Sequence, residues 1–260
     1  MIRAMRTAAS GMKAQQMNVD NIANNLANVN TTGFKKSRVE FQDLFYQRRK
    51  IPGSGIRGAS PASLELGYGS SPVATQRMYT QGEIHSTGNP TDIAIMGDGF
   101  FRVVMPDSTE AYTRDGSLRL SVEGQLITSD GYFLDPGVSI PPEAQQIEIA
   151  PDGVVTVVLA GDTFPQEVGQ LETVRFVNPT GLLSMGRNLY RATGASGEAI
   201  AGTPNFDGFG RLAQGHLEFS NVEVVDEMIA LIAAQRAYEI NSKAIKAAED
   251  MMTMANDLTR

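Results

Sequence analysis

The fold is decided by residues 222–258, which read VEVVDEMIALIAAQRAYEINSKAIKAAEDMMTMANDL without a Gly or Pro. Apolar residues recur every seven positions, and a second seam follows at the complementary spacing. The two seams are Val224, Leu231, Tyr238, Ile245 and Met252, and Ala234, Asn241, Ala248 and Ala255. This pattern predicts a long helix that packs against other helices. At about 1.5 Å per residue it would be about 55 Å long, so it needs partners along its whole length.

The start of this helix is also predicted. Ser220 or Asn221 is the expected N-cap, because either side chain can accept a hydrogen bond from a first-turn N–H. The acidic residues Glu223, Asp226 and Glu227 follow in the opening turns, where the helix dipole favours negative charge.

A second heptad pattern occupies residues 2–29, at the opposite end of the chain. Its seam consists of Met1, Met5, Ala8, Met12, Val19, Ile22, Leu26 and Val29, with the polar Gln15 in the remaining position. Thr31-Thr32-Gly33 is expected to end this helix, with Gly33 in a left-handed conformation. The pattern predicts a second helix that can pair with the first.

Asparagines form another stripe on the N-terminal helix, at Asn21, Asn24, Asn25 and Asn28. Asn is a poor helix former, because its side chain competes with the backbone for hydrogen bonds. A ladder of amides is understandable if other helices pack on it, where buried amides fix the register. We therefore expect this stripe to serve helix packing.

The middle of the chain is punctuated by Asp-Gly pairs at 98–99, 115–116, 130–131 and 152–153. Asp-Gly suits tight hairpin turns. Short β-type runs lie between these pairs, at 93–96, 100–105, 117–120, 125–128, 154–159 and 171–176. This spacing predicts an all-β sandwich or barrel.

The predicted fold class is therefore α+β, with two long paired coiled-coil helices and a mainly antiparallel β domain. We assign residues 1–33 and 217–260 to a terminal helical domain and residues 76–216 to a β-rich outer domain. Residues 34–75 are predicted to be an extended connection between them.

Charge and composition exclude several functions. Residues 1–50 carry a net charge of +6, against −7 for the whole chain. No aromatic residues interleave the basic residues between Lys35 and Arg38, which disfavours nucleic-acid binding and favours pairing with the chain's own acidic parts. With no Cys and only two His, cysteine chemistry and a three-histidine zinc site are excluded, and no cofactor is expected. Gly53-Ser-Gly55-Ile-Arg-Gly58 fits a dinucleotide motif, but without the required flanking strand and helix.

Neither catalysis nor membrane insertion is expected. No segment approaches the roughly 18 apolar residues of a membrane span. The first residues lack the apolar stretch of a cleaved signal peptide. We therefore expect a chain that is either cytoplasmic or exported without a cleaved signal. No nucleophile–base pair stands out, although counting carboxylates cannot exclude a glycosidase pair. A glycan-binding or glycan-cleaving β domain therefore stays an alternative.

Both ends of the chain resemble the bacterial flagellar rod and hook proteins. The N-terminal signature is Asn21-Ile-Ala-Asn-Asn-Leu-Ala-Asn-Val-Asn-Thr-Thr-Gly-Phe-Lys-Lys36. The C-terminal one comprises Ser220-Asn-Val-Glu-Val-Val-Asp-Glu-Met-Ile229 and Ala234-Gln-Arg-Ala-Tyr-Glu-Ile-Asn-Ser-Lys-Ala244. Residues 81–101 and 111–116 resemble the distal rod members of that family, with proximal rod or hook-like subunits as the near alternative.

The resemblance implies a structural subunit that self-assembles into a helical tube. Its terminal helices would line the export channel, and its β domain would face outward. Partners would be other copies of the chain, proximal rod subunits, hook subunits, the outer-membrane and peptidoglycan bushing-ring proteins and the flagellar export apparatus. The location would be the rod, crossing the periplasm, reached without a cleaved signal peptide. The self-assembly seams are assigned to Met5, Met12, Val19, Ile22, Asn24, Asn25, Leu26, Asn28, Val29, Leu231, Tyr238, Asn241, Ile245 and Met252.

Residues 46–64 are the part least typical of the family. They contain Arg48, Arg49 and Lys50, followed by a run rich in Gly and Pro that includes Pro52 and Pro61. Alone, this composition is that of a flexible loop. The resemblance implies instead a segment that stiffens the rod through added contacts between neighbouring subunits.

Overall fold

The computed structural model of the protein describes residues 2–50, 64–159 and 164–258. The chain divides into two compact units, each built from separated stretches. Unit 1 comprises Met1–Ala27, Ser37–Arg77 and Glu223–Arg260, and unit 2 comprises Asn28–Lys36 and Met78–Val222. Two long helices and mainly antiparallel strands make the fold α+β, as the sequence predicts.

Unit 1 contains both helices and four strands. The helices are α1 (Ile2–Ala27) and α2 (Val224–Asp257), and the strands are β1 (Ser37–Asp43), β2 (Tyr46–Lys50), β3 (Leu64–Gly67) and β4 (Ser70–Arg77). β1 pairs antiparallel with β4, and β2 pairs antiparallel with β3. Residues 37–50 and 64–77 therefore contribute two strand pairs to the same unit as the helices.

The two helices pack against each other antiparallel. At one end, the Asn25 amide nitrogen lies 3.3 Å from a carboxylate oxygen of Glu227. Nearer the start of α1, Gly11 approaches Asn241 so closely that a Cβ on the glycine would lie 3.1 Å from the Asn241 side chain. Small residues at the contact, among them Ala8, Ala234 and Ala248, are buried and let the backbones approach. The coiled-coil character of this pair stays a prediction.

The helix ends agree only partly with prediction. Gly33 has a φ of +66°, the left-handed conformation expected after α1. The N-cap of α2 is Glu223, without a side-chain cap, so the prediction of Ser220 or Asn221 is wrong. The Asn221 side chain is engaged elsewhere: its Oδ1 accepts a hydrogen bond from the Lys36 backbone N–H at 2.7 Å, and its Nδ2 donates to the Met78 carbonyl at 2.8 Å.

The described residues of unit 2 form sixteen strands, all paired antiparallel. They are β5 (Ile84–Ser86), β6 (Ile93–Met96), β7 (Phe101–Val104), β8 (Glu110–Thr113), β9 (Arg119–Leu120), β10 (Leu126–Ile127), β11 (Phe133–Asp135), β12 (Ala144–Ile149), β13 (Val154–Leu159), β14 (Gln166–Gln170), β15 (Thr173–Arg175), β16 (Leu183–Gly186), β17 (Leu189–Arg191), β18 (Ile200–Gly202), β19 (Arg211–Gln214) and β20 (His216–Glu218). A seven-stranded sheet has the order β16-β17-β8-β7-β11-β10-β9, and a three-stranded sheet the order β12-β13-β14. The last strands return to early ones, since β19 pairs with β6 and β20 with β5.

Two hydrophobic clusters form the core of unit 2, and residues that are adjacent in sequence belong to different clusters. Phe101 and Ala111 belong to the larger cluster, with Ile93, Val155 and Leu212. Phe100 and Tyr112 belong to the smaller, aromatic one. This is the period-two alternation of a strand that is buried on both faces.

Two of the four Asp-Gly pairs form the hairpins that were predicted. Asp130-Gly131 joins the paired strands β10 and β11, and Asp152-Gly153 joins β12 and β13. The hairpin prediction is wrong for the other two pairs, because β6 and β8 do not pair with the strand that follows each of them. At Gly116 a Cβ would lie 1.7 Å from the Ile93 carbonyl oxygen, so glycine is needed there for backbone approach.

Candidate self-assembly site

The predicted seam residues have graded burial, and two of them, Asn28 and Val29, lie beyond the end of α1 and belong to unit 2. Ile22 and Asn25 are buried, and Tyr238 keeps 43% of its surface exposed. Asn24 is exposed on the side of α1. The remaining predicted residues are half-buried: Met5, Met12, Val19, Leu26, Asn28, Val29, Leu231, Asn241, Ile245 and Met252. One chain therefore leaves part of this surface uncovered. Their role in self-assembly stays a prediction.

Two asparagines of the α1 stripe bind the start of strand β1, and their predicted role in helix packing stays a prediction. Asn21 and Asn25 donate side-chain hydrogen bonds to the Ser37 carbonyl oxygen at 2.7 and 2.9 Å. The Asn25 Oδ1 accepts in return from the Ser37 backbone N–H at 3.0 Å. These two amides attach α1 to the start of strand β1, and the Asn25 amide also contacts Glu227 of α2 at 3.3 Å. The two amides supply hydrogen-bond partners for the backbone N–H and carbonyl of Ser37, at the point where the connection from α1 enters β1.

The outer face of α2 carries an exposed apolar stripe. Its members are Val225, Met228, Ile229, Ile232, Ile240, Met251, Met254 and Leu258, each between 48% and 87% exposed. At 100° per residue, this stripe lies on the side of α2 opposite Leu231, Ala234 and Ala248, which face α1. Arg236, Lys243 and Asp250 also lie on this face and divide the stripe into an N-terminal and a C-terminal part. Exposed apolar side chains gathered on one helix face mark an interaction site. This stripe was not predicted from the sequence, although its spacing is visible there beside the seams.

A buried ion cluster lies in unit 2. Glu218 accepts a hydrogen bond from the Lys35 ammonium at 2.7 Å through one carboxylate oxygen and from the Arg114 Nε at 2.7 Å through the other. All three side chains are nearly inaccessible to solvent. Arg114 also donates to the Gly99 carbonyl at 2.7 Å and to the Gly97 carbonyl. Two cations thus share one carboxylate in the interior of the unit.

Burial and charge act against each other in this cluster. Burial lowers the pKa of the Lys35 ammonium, and the nearby Arg114 cation lowers it further, against the opposing charge of Glu218. Burial by itself would raise the pKa of the Glu218 carboxyl. The charges of Arg114 and Lys35 and their hydrogen bonds outweigh that effect and hold this pKa below its ordinary value.

The ion cluster joins four separate stretches of the chain, around residues 33–35, 80–82, 114 and 218. Lys35 also donates to the Thr80 carbonyl at 2.7 Å, and the Gly82 backbone N–H donates to the Glu218 carboxylate at 2.9 Å. The Gly33 backbone N–H donates to the Glu218 carbonyl at 2.8 Å. Pairing of early basic residues with the chain's own acids was expected from the sequence. The sequence did not predict that Glu218 would be the partner of Lys35, because the two residues are 183 positions apart.

Strands β2 and β3 hold the ends of the predicted stiffening segment together. Residues 48–50 lie in β2, whereas Pro52 and Pro61 lie outside the described residues. Next to β2, Phe45 is 89% exposed, and within β3, Leu66 is 45% exposed. The base of this segment is therefore an exposed strand pair with apolar side chains on its surface.

Acidic side chains line one surface cavity in the described part of the chain. The two carboxylates are those of Asp43 and Glu65, but both residues are exposed and Tyr46 hydrogen-bonds to Asp43. Among the residues that the structure describes, no cluster of His, Asp and Glu could hold a metal ion. Neither α1 nor α2 has an apolar stretch that could cross a bilayer.

Three family models match the chain. Residues 5–35 match the model "Flagella basal body rod protein", residues 94–157 match "Flagellar hook protein FlgE/F/G D1 domain", and residues 213–258 match "Flagellar basal body rod FlgEFG protein C-terminal". Together these matches include both ends of the chain and part of the β-rich unit. They also include all three residues of the ion cluster, Lys35, Arg114 and Glu218.

Curated relatives match over the full length. The chain is 50% identical to "Flagellar basal-body rod protein FlgG" of Borreliella burgdorferi over 264 residues, with 100% of both chains covered. It is 44% identical to the protein of that name from Caulobacter vibrioides, covering 99% of each chain. It is also 42% identical to the one from Bacillus subtilis, covering 100% of each chain.

Proposed function

The chain belongs to the family of flagellar basal-body rod proteins, and from this premise we propose that it is the structural subunit of the distal rod. In this role, copies of the chain assemble into a helical tube that transmits torque across the periplasm and encloses the export channel. The observation that carries the proposal is the exposed apolar stripe on α2, opposite the face that α1 covers. Burying that stripe requires a further helix, and neighbouring copies supply one.

The proposed tube has an inner layer of α1 and α2 helices in coiled-coil contact, and the β-rich unit faces outward. Its further partners are proximal rod subunits below, hook subunits above and the bushing-ring proteins of the peptidoglycan and outer membrane. The subunit reaches the periplasm through the flagellar export apparatus, without cleavage of a signal peptide. No residue acts as a catalyst in this proposal.

Electron microscopy of the purified chain tests this function. We expect straight, hollow filaments above a critical protein concentration, because each subunit presents uncovered helical surface on more than one side. The protein is observed by negative stain across a concentration series in assembly buffer. A chain that stays monomeric at every concentration, and that fails to restore rods in a strain lacking its own copy, contradicts the proposal.

Removing the proposed stiffening segment should change the mechanics of the filament. Deletion of residues 48–63 is expected to give curved or compliant filaments, because fewer interactions between neighbouring subunits then resist bending. Filament curvature and persistence length are measured from micrographs. A matched variant that neutralises Arg48, Arg49 and Lys50 to Gln separates charge from packing, since exposed ion pairs are worth only about 0–1 kcal/mol each. Deletion filaments as straight and stiff as the parent would show that the segment is only a linker.

A further inference from the structure

The outer faces of the two helices carry charged residues spaced by seven positions. The ladder of α1 consists of Arg6, Lys13 and Asp20, and its proposed counterpart on α2 consists of Lys243, Asp250 and Asp257. Arg236 continues the α2 spacing by one step and would fall level with the uncharged Ala27. Seven residues advance an α-helix by nearly two whole turns, so each ladder keeps to one face. All six residues are exposed. Within residues 2–50, 64–159 and 164–258, none of the six takes part in an ion pair.

The two ladders are complementary in sign when the helices run antiparallel. Arg6 then meets Asp257, Lys13 meets Asp250, and Asp20 meets Lys243. In an antiparallel pair of helices, residues that lie level with one another have position numbers with a constant sum. The three pairs share one such sum, so a single register forms all three at once. Charges that flank an apolar stripe in this way set partner choice and register in coiled coils. On α2 the ladder borders the C-terminal half of the exposed apolar stripe, roughly 70° around the helix at 100° per residue.

These pairs cannot form within one chain. The contacts of Asn25 with Glu227 and of Gly11 with Asn241 fix the internal register of α1 and α2. In that register Lys13 is level with Glu239, and Asp250 lies eleven residues farther along α2, or about 16 Å at 1.5 Å per residue. Both ladders also point away from the contact between α1 and α2, by roughly 150° at 100° per residue. The ladders therefore need a second copy of the chain.

We propose that the α1 ladder of one subunit pairs with the α2 ladder of the next, and that neighbouring subunits are displaced along the helix axis by about 16 Å. The inference rests on the proposed function, since it specifies a contact in the polymer. Copies that point the same way along a filament place α1 of one antiparallel to α2 of another, as the ladders require. The contact joins two different faces, so it is heterologous and can repeat without closing. The displacement makes the arrangement helical.

Charge reversal tests this register. Lys13→Glu and Asp250→Lys are each expected to raise the critical concentration for assembly about tenfold, since each places like charges opposite one another in every contact. The double variant Lys13→Glu/Asp250→Lys restores an opposite pair and is expected to return the critical concentration to that of the parent. The matched control is Lys13→Glu/Glu239→Lys, which combines the same reversal with an exposed acid that is level with Lys13 in the same chain. This control is expected to stay impaired.

Each outcome decides the inference. Rescue by Asp250→Lys and not by Glu239→Lys supports the staggered register. Rescue by Glu239→Lys, rescue by neither, or single variants that assemble like the parent overturn it. In all three of these cases the parent still forms filaments, so the proposed function stands. A parent chain that forms no filaments in vitro or in cells overturns the proposed function and this contact together.

Discussion

Replacing Glu218 by glutamine is expected to lower the free energy of unfolding of unit 2 by about 3–5 kcal/mol, because the change leaves Lys35 and Arg114 buried as cations without the carboxylate that they share. Whole domains are stable by only about 5–15 kcal/mol, so much of that margin is lost. Urea unfolding followed by near-ultraviolet circular dichroism measures the change. The control Glu123→Gln alters an exposed acid of the same unit and should change the free energy by less than about 0.5 kcal/mol.

The same variant should alter the acid sensitivity of unit 2. Because the pKa of Glu218 is lower in the folded protein than in the unfolded chain, its contribution to stability is complete above its unfolded pKa, which is about 4.3. That contribution is lost as the pH falls through the folded pKa. In the Glu218→Gln variant, the free energy of unfolding should therefore fall less steeply as the pH is lowered than it does in the parent. Unfolding curves at pH 3 to 7 test it, and a variant as stable as the parent at pH 7 would show that the carboxylate charge does not hold the cluster together.

Ile232→Asp is expected to abolish filament formation and to leave the isolated subunit folded. Ile232 lies in the exposed stripe of α2 with half of its surface open, so a charge there is hydrated in the monomer. In the polymer the same carboxylate would be buried without a partner, at a cost of several kcal/mol in each contact. Sedimentation of polymer and micrographs measure assembly, and circular dichroism measures the helix content of the monomer.

The control for this variant is Gln235→Asp, which places the same charge on a neighbouring turn, outside the apolar stripe. It should change the critical concentration far less than Ile232→Asp. If Ile232→Asp assembles at the concentration of the parent, the stripe is not an interface between copies. If the monomer loses its helix content, the absence of filaments would instead come from unfolding.

The periodic features of the fold could be predicted from the sequence. Both helices are where the heptad patterns placed them, because seven-residue periodicity is set by local geometry. Strands 93–96 and 154–159 have the predicted bounds, while the other four runs are shorter in the structure than in the prediction. The distribution of strands among sheets could not be predicted, because pairings such as β19 with β6 join residues more than a hundred positions apart.

The polar contacts were the least predictable part. Asn221 looks like an N-cap locally, yet its amide is taken by Lys36 and Met78, which lie far away in sequence. Asn21 and Asn25 look like a helix-packing ladder; Asn25 does contact Glu227 of α2, but both amides also bind the backbone of Ser37, which no local pattern indicates. A polar side chain satisfies whichever backbone group the fold presents to it, and that choice is tertiary. The Glu218 cluster could not be found for the same reason, since no local pattern identifies which acid meets Lys35.

The ion cluster also dictates when the β-rich unit can finish folding. Lys35 lies near the N-terminal end of the chain, whereas the carboxylate that it pairs with, Glu218, lies near the other end. Strands β19 and β20, which pair with β6 and β5, also require residues 211–218. Such pairings between distant residues raise the contact order, which slows folding. The ion cluster and these two strand pairs can form only after residues 211–218 have been synthesised, which suits a molecule whose proposed route to its place of assembly is a narrow channel.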